Sequence, residues 1–410
     1  MQSSGVPYQN WLRARGAMAI GAPPVDFTTL GMFIIDEIHS GPPNARTVVR
    51  DAVGGAGTYG TLLRPAPSPA PLLLPPLTHP GIIGARLFSP PPHSHKIGWI
   101  VDAGRDFPPA IRAQLKALDT NLILRETHDR LTTRGWNSYG ANDHREFRYL
   151  TPKKRLEADD LIAARLVVAK TIHFICSPVR AQMVAYELCG LLDDCRPGAG
   201  AATRFIWEPV PDLCTPEHRL DMYKTLKLVH VVSPNHAELA GFYGIDDPAD
   251  NSSRATIEAL TAKLVTAGIG PHHTGAAIVR CGKMGCLVAS HGREPVWLPA
   301  YYSTDDSEGN GGPNHEKVVD PTGGGNTFIG GVAIGLVRYP GNFVMAAAMG
   351  AVAASFAIEQ IGIPVLEKAE GGRGERWNGV EVGKRFEEYR GRVEAMGVVL
   401  ETWDGMGAPV

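Results

Sequence analysis

A glycine-rich turn between a strand and a helix carries the clearest chemical signal in this sequence. Residues 318–331 read VVDPTGGGNTFIGG. The two valines favour a strand, Pro321 ends it because proline has no N–H for a strand ladder, and small apolar residues from Thr327 onwards predict a helix. The glycines Gly323–Gly325 leave the backbone open to a ligand. Since free N–H groups at a helix start bind anions, the turn predicts a phosphate site, and a tight turn without a ligand is the alternative.

Two other loops, each after a predicted strand, carry residues that could do chemistry. Asn235 and Glu238 follow a predicted strand and begin a helix. Their oxygens suit Mg²⁺, but the same spacing forms a helix cap in which both side chains accept hydrogen bonds from backbone N–H groups. The residues alone favour the cap. The second loop, from Arg280 to Gly285, predicts a turn between two short strands.

Near the N-terminus, the stretch 26–38 predicts a buried strand that ends at Asp36. Ligands of open α/β sheets bind beyond the carboxyl ends of the strands, so Asp36 is a candidate substrate ligand, beside the simpler interpretation of a solvated carboxylate. Three glycines between residues 55 and 60 match the dinucleotide-binding pattern, but Pro65 stops the helix that this pattern requires. The sequence therefore argues against a dinucleotide fold.

Helices and strands alternate from residue 156 onwards, which predicts an α/β fold with a parallel sheet covered on both faces. A strand at 96–103 and a helix at 108–118 precede this part, and residues 367–378 predict a polar loop. The later helices are 156–169, 179–192, 216–229, 253–264, 343–362 and 380–396, and the later strands are 171–176, 204–207, 230–233, 276–280 and 286–290.

Changes in composition mark three segments outside this pattern. Residues 1–24 contain two arginines and no acid and predict a flexible tail before a domain at 25–400. The segment 64–95 is rich in proline, which predicts an extended, mobile surface loop with one helical turn at 82–88. The polar stretch 121–150 alternates apolar and polar residues, which predicts a small sheet exposed to water on one face.

Composition and charge exclude several classes of protein. The 410 residues carry a net charge of −2, so no global charge attracts nucleic acid or a membrane surface. No run reaches the roughly 18 apolar residues of a membrane helix. Six cysteines without a C-x-x-C pair predict reduced thiols and a cytoplasmic location, and the histidines lack the spacing of a zinc site.

The sequence DPTGGGN at 320–326 resembles the signature of the ribokinase, or PfkB, family of carbohydrate and nucleoside kinases. The resemblance runs from about residue 26 to 362, and with IWEP at 206–209 the chain most resembles the fungal maintenance-of-killer subgroup. It implies a ribokinase-like fold: a doubly wound, mostly parallel sheet in three α/β/α layers, with a small β lid at 121–150. It also implies ATP and Mg²⁺ as cofactors, a sugar or nucleoside as acceptor, and the lid as a candidate homodimer surface.

The resemblance also assigns roles to individual residues. In the family the glycine amides hold the charge of the transferring phosphoryl group, and a closing aspartate takes the proton of the acceptor hydroxyl. Here that position is Asn326, whose amide is not a usable base, and Arg280 stands where a threonine is common. The residues implied for catalysis are Asp320, Gly323, Gly324, Gly325 and Asn326. Those implied for nucleotide binding are Asn235, Glu238, Arg280, Gly282, Gly285, Thr322 and Gly362, and Glu238 is also implied as the Mg²⁺ ligand. Those implied for acceptor binding are Asp36, Gly54, Gly55, Arg134 and Asn137.

Two classes of function remain open. One is an ATP-dependent phosphotransferase that acts on a small sugar-like hydroxyl and is weak or selective because Asn326 replaces the aspartate. The other is an inactive nucleotide-binding or interaction protein on a kinase fold. Positioning and charge stabilisation supply most of the acceleration in phosphoryl transfer. A general base supplies about 10²- to 10⁴-fold. Loss of the base therefore slows such an enzyme without necessarily abolishing turnover.

Overall fold

The computed structural model describes residues 25–40, 47–54, 80–139, 145–195, 202–302, 317–321, 323–360, 362–369 and 374–402. Gly55 and Thr322 lie outside these residues, as do the tail at 1–24 and residues 64–79 of the proline-rich segment. The backbone of Asn137 is described, but its side chain is not.

Strands and helices alternate along most of the described chain. The strands are β1 Val25–Thr29, β2 Ile34–Ser40, β3 Thr47–Gly54, β4 Gly98–Gly104, β5 Asn121–Thr127, β6 Arg134–Tyr139, β7 Arg145–Tyr149, β8 Ala169–Cys176, β9 Arg204–Pro209, β10 Val231–Val232, β11 Ala276–Arg280, β12 Cys286–Ser290, β13 Val296–Leu298, β14 Leu366–Glu367 and β15 Arg376–Trp377. The α-helices are α1 Pro80–Leu87, α2 Pro109–Ala117, α3 Ala158–Ala163, α4 Pro178–Cys195, α5 Arg219–Leu226, α6 His236–Gly241, α7 Pro248–Asn251, α8 Arg254–Ala267, α9 Gly324–Arg338, α10 Phe343–Ala357 and α11 Val382–Ala395.

The central sheet has the strand order β1-β8-β9-β10-β11-β12-β13. Pairing is parallel from β1 to β11 and antiparallel for the last two strands. Alternate residues of its strands face opposite layers, since Ile206 packs in one hydrophobic cluster while Phe205 and Trp207 pack in the other. Both faces of the sheet are therefore covered, and the predicted α/β class with a mostly parallel sheet is confirmed.

Strand β5 extends one edge of this sheet. It pairs in parallel with β4, and a bridge between Phe27 and Ile97 places β4 beside β1. Leu122 packs against one hydrophobic cluster and Ile123 against the other, so this strand is covered on both sides. The prediction that the whole of 121–150 forms a lid is therefore wrong for β5.

A second sheet of four strands has the order β3-β2-β6-β7. Residues 26–38, predicted as one strand, are split between β1 in the central sheet and β2 in this one, because the chain turns at Gly31, whose N–H donates to Thr29 Oγ1 at 2.9 Å. Asp36 lies in β2, opposite Ala52 and Gly135. The prediction that Asp36 ends a strand of the central sheet is therefore wrong.

Part of the proline-rich segment is buried core. Helix α1 begins at Pro80, which is tolerated in the first turn because that N–H needs no helical partner. Ile82 and Ile83 are buried, and a side chain on Gly84 would overlap the carbonyl of Thr327 in α9. The helical turn predicted over 82–88 is observed as α1, which is buried and supports the first turns of α9.

Helices α9 and α10 also pack at close range through small residues. A Cβ on Gly331 would lie 2.6 Å from the carbonyl of Met349, and one on Gly335 would lie 2.5 Å from Cα of Ala346. The alanine- and glycine-rich sequence of α10 is therefore a packing requirement. Within the residues described, no helix is long and apolar enough to cross a membrane.

Some predicted boundaries differ from the observed ones. The helix predicted over 156–169 is shorter in the structure, where α3 ends at Ala163. Arg165 adopts a left-handed conformation with φ 60°, which a continuing helix does not allow, and β8 begins at Ala169. The loop predicted over 367–378 contains β15, whose Trp377 pairs with Leu366 and is buried.

Candidate active site

A row of polar side chains crosses the carboxyl ends of the central strands. Thr29 Oγ1 lies 3.0 Å from His173 Nδ1, His173 Nε2 lies 3.4 Å from Glu208 Oε2, and Glu208 Oε1 lies 2.7 Å from Arg280 Nη2. These residues come from β1, β8, β9 and β11, because parallel strands bring their carboxyl ends to one edge of the sheet. Ligands of open α/β sheets bind at that edge.

Hydrogen bonds order the first pair of the row, Thr29 and His173. Because the N–H of Gly31 donates to Thr29 Oγ1, the threonine hydroxyl proton can be directed at His173 Nδ1. On the other side of the ring, His173 Nε2 and Glu208 Oε2 are both buried and lie 3.4 Å apart, without a hydrogen bond to the described residues. His173 and Glu208 are both almost fully buried, so this network is largely shielded from water.

Arg280 joins the row to the glycine-rich turn. Its Nη2 contacts Glu208 Oε1, the Ser233 carbonyl at 3.0 Å and Glu238 Oε2 at 3.4 Å. Its Nη1 lies directly over Gly325, where any side chain would overlap it. The guanidinium thus stands at the start of α9, at the phosphate site that the sequence predicts.

The turn itself has the geometry of an open helix start. Gly323 precedes α9 in a left-handed conformation with φ 83°, which glycine adopts without strain. Asn326 lies in the first turn and is buried, and Asp320 is 9% exposed. The N–H of Asp320 donates to the carbonyl of Ile358 at 3.2 Å, which fixes the segment before the turn.

Asn235 and Glu238 form a complete capping box at the start of α6. The N–H of Asn235 donates to Glu238 Oε2 at 2.8 Å, and the N–H of Glu238 donates to Asn235 Oδ1 at 2.7 Å. Burial raises the pKa of Glu238 to about 7, Arg280 opposes the rise, and the negative charge of Glu208 adds to it. The helix cap, which the residues alone favoured, is the arrangement observed.

These residues do not fit a protein-held Mg²⁺. The ion needs near-octahedral oxygen ligands at about 2.0–2.1 Å, whereas Glu238 Oε2 is engaged by a backbone N–H and by Arg280. Glu208 Oε1 is engaged by the same guanidinium. A fixed cation therefore lies between these two buried carboxylates, at the position of any metal ion that both of them would ligate.

The predicted glycines lie in turns. Gly282 and Gly285 have φ values of 54° and 89° and shape the connection between β11 and β12, where the N–H of Cys281 donates to the Gly285 carbonyl at 2.7 Å. Gly362 follows α10 with φ 102°. Gly54 ends β3 in the four-stranded sheet. Their roles in binding a ligand stay predictions.

Arg134 begins β6, away from the row of strand ends. Its Nε donates to Asp106 Oδ2 at 2.7 Å. Burial alone would raise the pKa of Asp106, but hydrogen bonds from the Thr132 backbone and from Arg134 lower it. The described contacts of Arg134 are thus those of a structural ion pair, and its predicted contact with an acceptor stays a prediction.

Sequence reasoning missed His173 and did not assign a role to Glu208. Each is a titratable residue in a buried part of its strand, at the fifth position of AKTIHFIC and the fifth of RFIWEP. A buried strand tolerates such a residue only where it finds a polar partner. A titratable residue within a buried strand is therefore the sequence signal that could have identified His173 and Glu208.

Comparison with known proteins identifies the family. The model described as pfkB family carbohydrate kinase matches residues 199–365, which contain β9, β11, α9 and α10. An uncharacterized protein of Schizosaccharomyces pombe is 35% identical over 380 residues, covering 89% of this chain and 92% of that protein. Protein MAK32 of Saccharomyces cerevisiae is 30% identical over 374 residues, covering 88% and 91%. The chain belongs to the pfkB family.

Solved structures show which fold the chain shares. The ribokinase of Cryptococcus neoformans in complex with ADP aligns with a TM-score of 0.55 at 16% identity, over 83% of this chain and 95% of that one. The ribokinase of Arabidopsis thaliana complexed with ribose and ATP aligns with a TM-score of 0.51 at 17% identity, over 83% and 94%. At these identities the likeness shows the fold, which is ribokinase-like, as the sequence predicted.

Proposed function

We propose that this chain is an ATP-dependent phosphotransferase that transfers the γ-phosphate to a hydroxyl of a small, sugar-like acceptor. The observation that carries the proposal is the buried row of strand-end side chains that sets Arg280 over Gly325 at the start of α9. A guanidinium and the N–H groups of a helix start both attract phosphate. Family membership and the ribokinases solved with ADP, or with ribose and ATP, support the same assignment.

We place the acceptor beneath the four-stranded sheet, which would act as its lid. Asp36 lies in the second strand of that sheet, between β3 and β6, and its carboxylate can accept hydrogen bonds from sugar hydroxyls. Gly54, Arg134 and Asn137 of the same sheet are the other described acceptor-side candidates, and Gly55, outside the described residues, stays a prediction from the sequence. A homodimer formed through the lid stays a prediction.

Catalysis in this proposal relies on charge and position. The transition state of phosphoryl transfer is loose, so stabilising the charge on the transferring group supplies most of the acceleration. Arg280 and the Gly323–Gly325 amides fill that role. Asn326, buried in the first turn of α9, can orient the acceptor hydroxyl by hydrogen bonding but cannot take its proton, so turnover is slow or confined to a suitable acceptor.

We assign the reaction to the cytoplasm. The five cysteines whose side chains are described are free thiols, which suits a reducing compartment. Burial raises the pKa of Cys176 and Cys281 to about 12, so neither thiol ionises readily at neutral pH.

The decisive test is Asn326→Asp, assayed by ATP consumption over a panel of sugars and nucleosides. An aspartate at this position restores a general base, and we expect turnover of the preferred acceptor to rise by about 10²- to 10⁴-fold. Asn121→Asp, at the start of edge strand β5, is the matched control and should leave turnover unchanged. If the native protein is already fast and Asn326→Asp does not exceed it, the assignment of Asn326 as a lost base is wrong.

Asn326 also favours a second candidate function, that of a nucleotide-binding protein without catalytic activity. Calorimetry with ATP distinguishes the two. If the native protein and Asn326→Asp both bind ATP and neither consumes it with any acceptor, the phosphotransferase proposal fails and the binding protein stands. If neither binds ATP at millimolar concentration, both proposals fail.

A further inference from the structure

The guanidinium of Arg280 is the central feature of a buried charge cluster. Its side chain is 13% exposed, and those of Glu208 and Glu238 are 2% and 3% exposed. Every hydrogen bond that this side chain makes to the described residues comes from Nη2. Nε is buried without such a partner, and Nη1 faces Gly325.

This placement is electrostatically unusual. The start of a helix carries a partial positive charge, which favours anions and disfavours a cation beside it. The two carboxylates offset the charge of Arg280 on one side only, at Nη2. An anion between Nη1 and the start of α9 would accept hydrogen bonds from Nη1 and balance both positive charges.

The same geometry leaves no room for a divalent cation between Glu208 and Glu238. A metal ligated by Glu208 and Glu238 would have to lie where Nη2 lies, 2.7 Å from one carboxylate and 3.4 Å from the other. Metal and guanidinium would also repel each other in a buried, low-dielectric environment. The cluster can therefore hold one cation or the other.

We propose that Arg280 is the protein's own cation at the phosphate site and takes the place of a protein-held divalent metal ion. This inference rests on the proposed function, because the anion it assigns is the polyphosphate chain of a nucleoside triphosphate. Glu208 and Glu238 then serve to position the guanidinium. Arg280 is the residue that contacts the phosphates.

Calorimetric titration of ATP tests the proposal, once with excess EDTA and once with Mg²⁺. The native protein should bind ATP with affinities within about threefold of each other in the two buffers. Arg280→Met should bind at least about tenfold more weakly in EDTA, since hydrogen bonds to charged groups contribute at least that much. Arg293→Met, which removes an exposed arginine on the turn after β12, should match the native protein in both buffers.

A second measurement needs no nucleotide. Mn²⁺ binding is followed by electron paramagnetic resonance in the native protein and in Arg280→Met. Removing the guanidinium leaves two buried carboxylates that face each other, so the variant should gain an Mn²⁺ site that the native protein lacks. If Arg280→Met does not fold, Arg280→Lys replaces it in the ATP titrations, where it should keep binding in EDTA because its positive charge remains.

The outcomes separate the two proposals. If the native protein binds ATP only with Mg²⁺, or binds Mn²⁺ at a site that Glu238→Gln removes, the role of Arg280 is refuted and the proposed function stands. If the native protein binds ATP in neither buffer, the proposed function fails and this inference fails with it. Binding in both buffers that Arg280→Met loses in EDTA supports both.

Discussion

Protonation of Glu238 couples the candidate site to the stability of the fold. Burial raises its pKa in the folded protein to about 7, from an ordinary value of 4.5. Between these values the unfolded chain loses this proton while the folded protein keeps it. The stability that Glu238 contributes is therefore complete at acid pH and falls as the pH rises through 7.

We expect Glu238→Gln to become more stable, relative to the native protein, as the pH rises from 5 to 8. Glutamine can keep the capping box with Asn235 but cannot ionise. The measurement is the free energy of unfolding in urea at each pH, taken as the difference between the two proteins, so that groups they share cancel. His230, whose pKa burial lowers to about 4, is one such group.

The matched control for this prediction is Glu294→Gln, on an exposed turn. Its stability should follow that of the native protein at every pH. A difference between the native protein and Glu238→Gln that stays constant from pH 5 to 8 would show that the carboxyl does not change its protonation in this range.

The contact between α1 and α9 is the element-scale feature on which the site depends. A side chain on Gly84 would overlap the backbone of Thr327, and a Cβ on Gly330 would lie 2.6 Å from the N atom of Ala85. Both contacts involve backbone atoms, which cannot move aside as a flexible side chain can. The two helices are therefore held at a fixed short distance, with the first turn of α9 among the parts in contact.

We expect Gly84→Ala to lower the free energy of unfolding by about 1–3 kcal/mol, as overpacked core substitutions do, and to weaken ATP binding because α9 is displaced. Gly190→Ala is the matched control. Gly190 lies in α4 with nothing within 4 Å of the added Cβ, so this change should add about 0.5–1 kcal/mol through helix propensity. Urea unfolding and ATP calorimetry measure both variants, and equal effects would contradict the role given to the contact.

The same elements show how far the sequence could predict the fold. Strands β11 and β12 have the predicted bounds. Each is a short apolar run, and Gly282 and Gly285 between them mark the turn in the sequence. Helix α1 was predicted as one helical turn within a surface loop, because prolines surround it, and its burial was not predicted. Its burial depends on Gly84 meeting α9, a contact between residues about 240 positions apart that local pattern cannot show.

For the site, the sequence predicted the residue types but not their partners. The glycine turn, the capping box and the unusual Arg280 were all evident before the structure. That Arg280 would join Glu208 and Glu238 follows only from the order β9-β10-β11 in the sheet. Strand order is set by packing over the whole chain, so the row from Thr29 to Glu238 could not be derived from spacing.

At the scale of the whole molecule, one buried ion pair joins distant parts of the chain. Arg86, in α1, is fully buried and binds Glu375 with two hydrogen bonds of 2.8 and 2.7 Å. Its Nε donates to the carbonyl of Leu118 at 2.7 Å, and its guanidinium lies 5.7 Å from the ring centre of Trp377. The pair therefore ties α1, and through it α9, to the segment that precedes the C-terminal helix.

We expect Glu375→Ala to lower the free energy of unfolding by about 3–5 kcal/mol, because it leaves a buried guanidinium without its counter-charge. Glu394→Ala is the control: its partner Arg390 lies on the exposed side of α11, where water replaces the lost contact, so stability should hardly change. Urea unfolding followed by tryptophan fluorescence and by circular dichroism measures both. If Glu375→Ala is no more destabilising than Glu394→Ala, Arg86 is solvated or paired elsewhere, and the link from the C-terminal segment to the site helix does not hold.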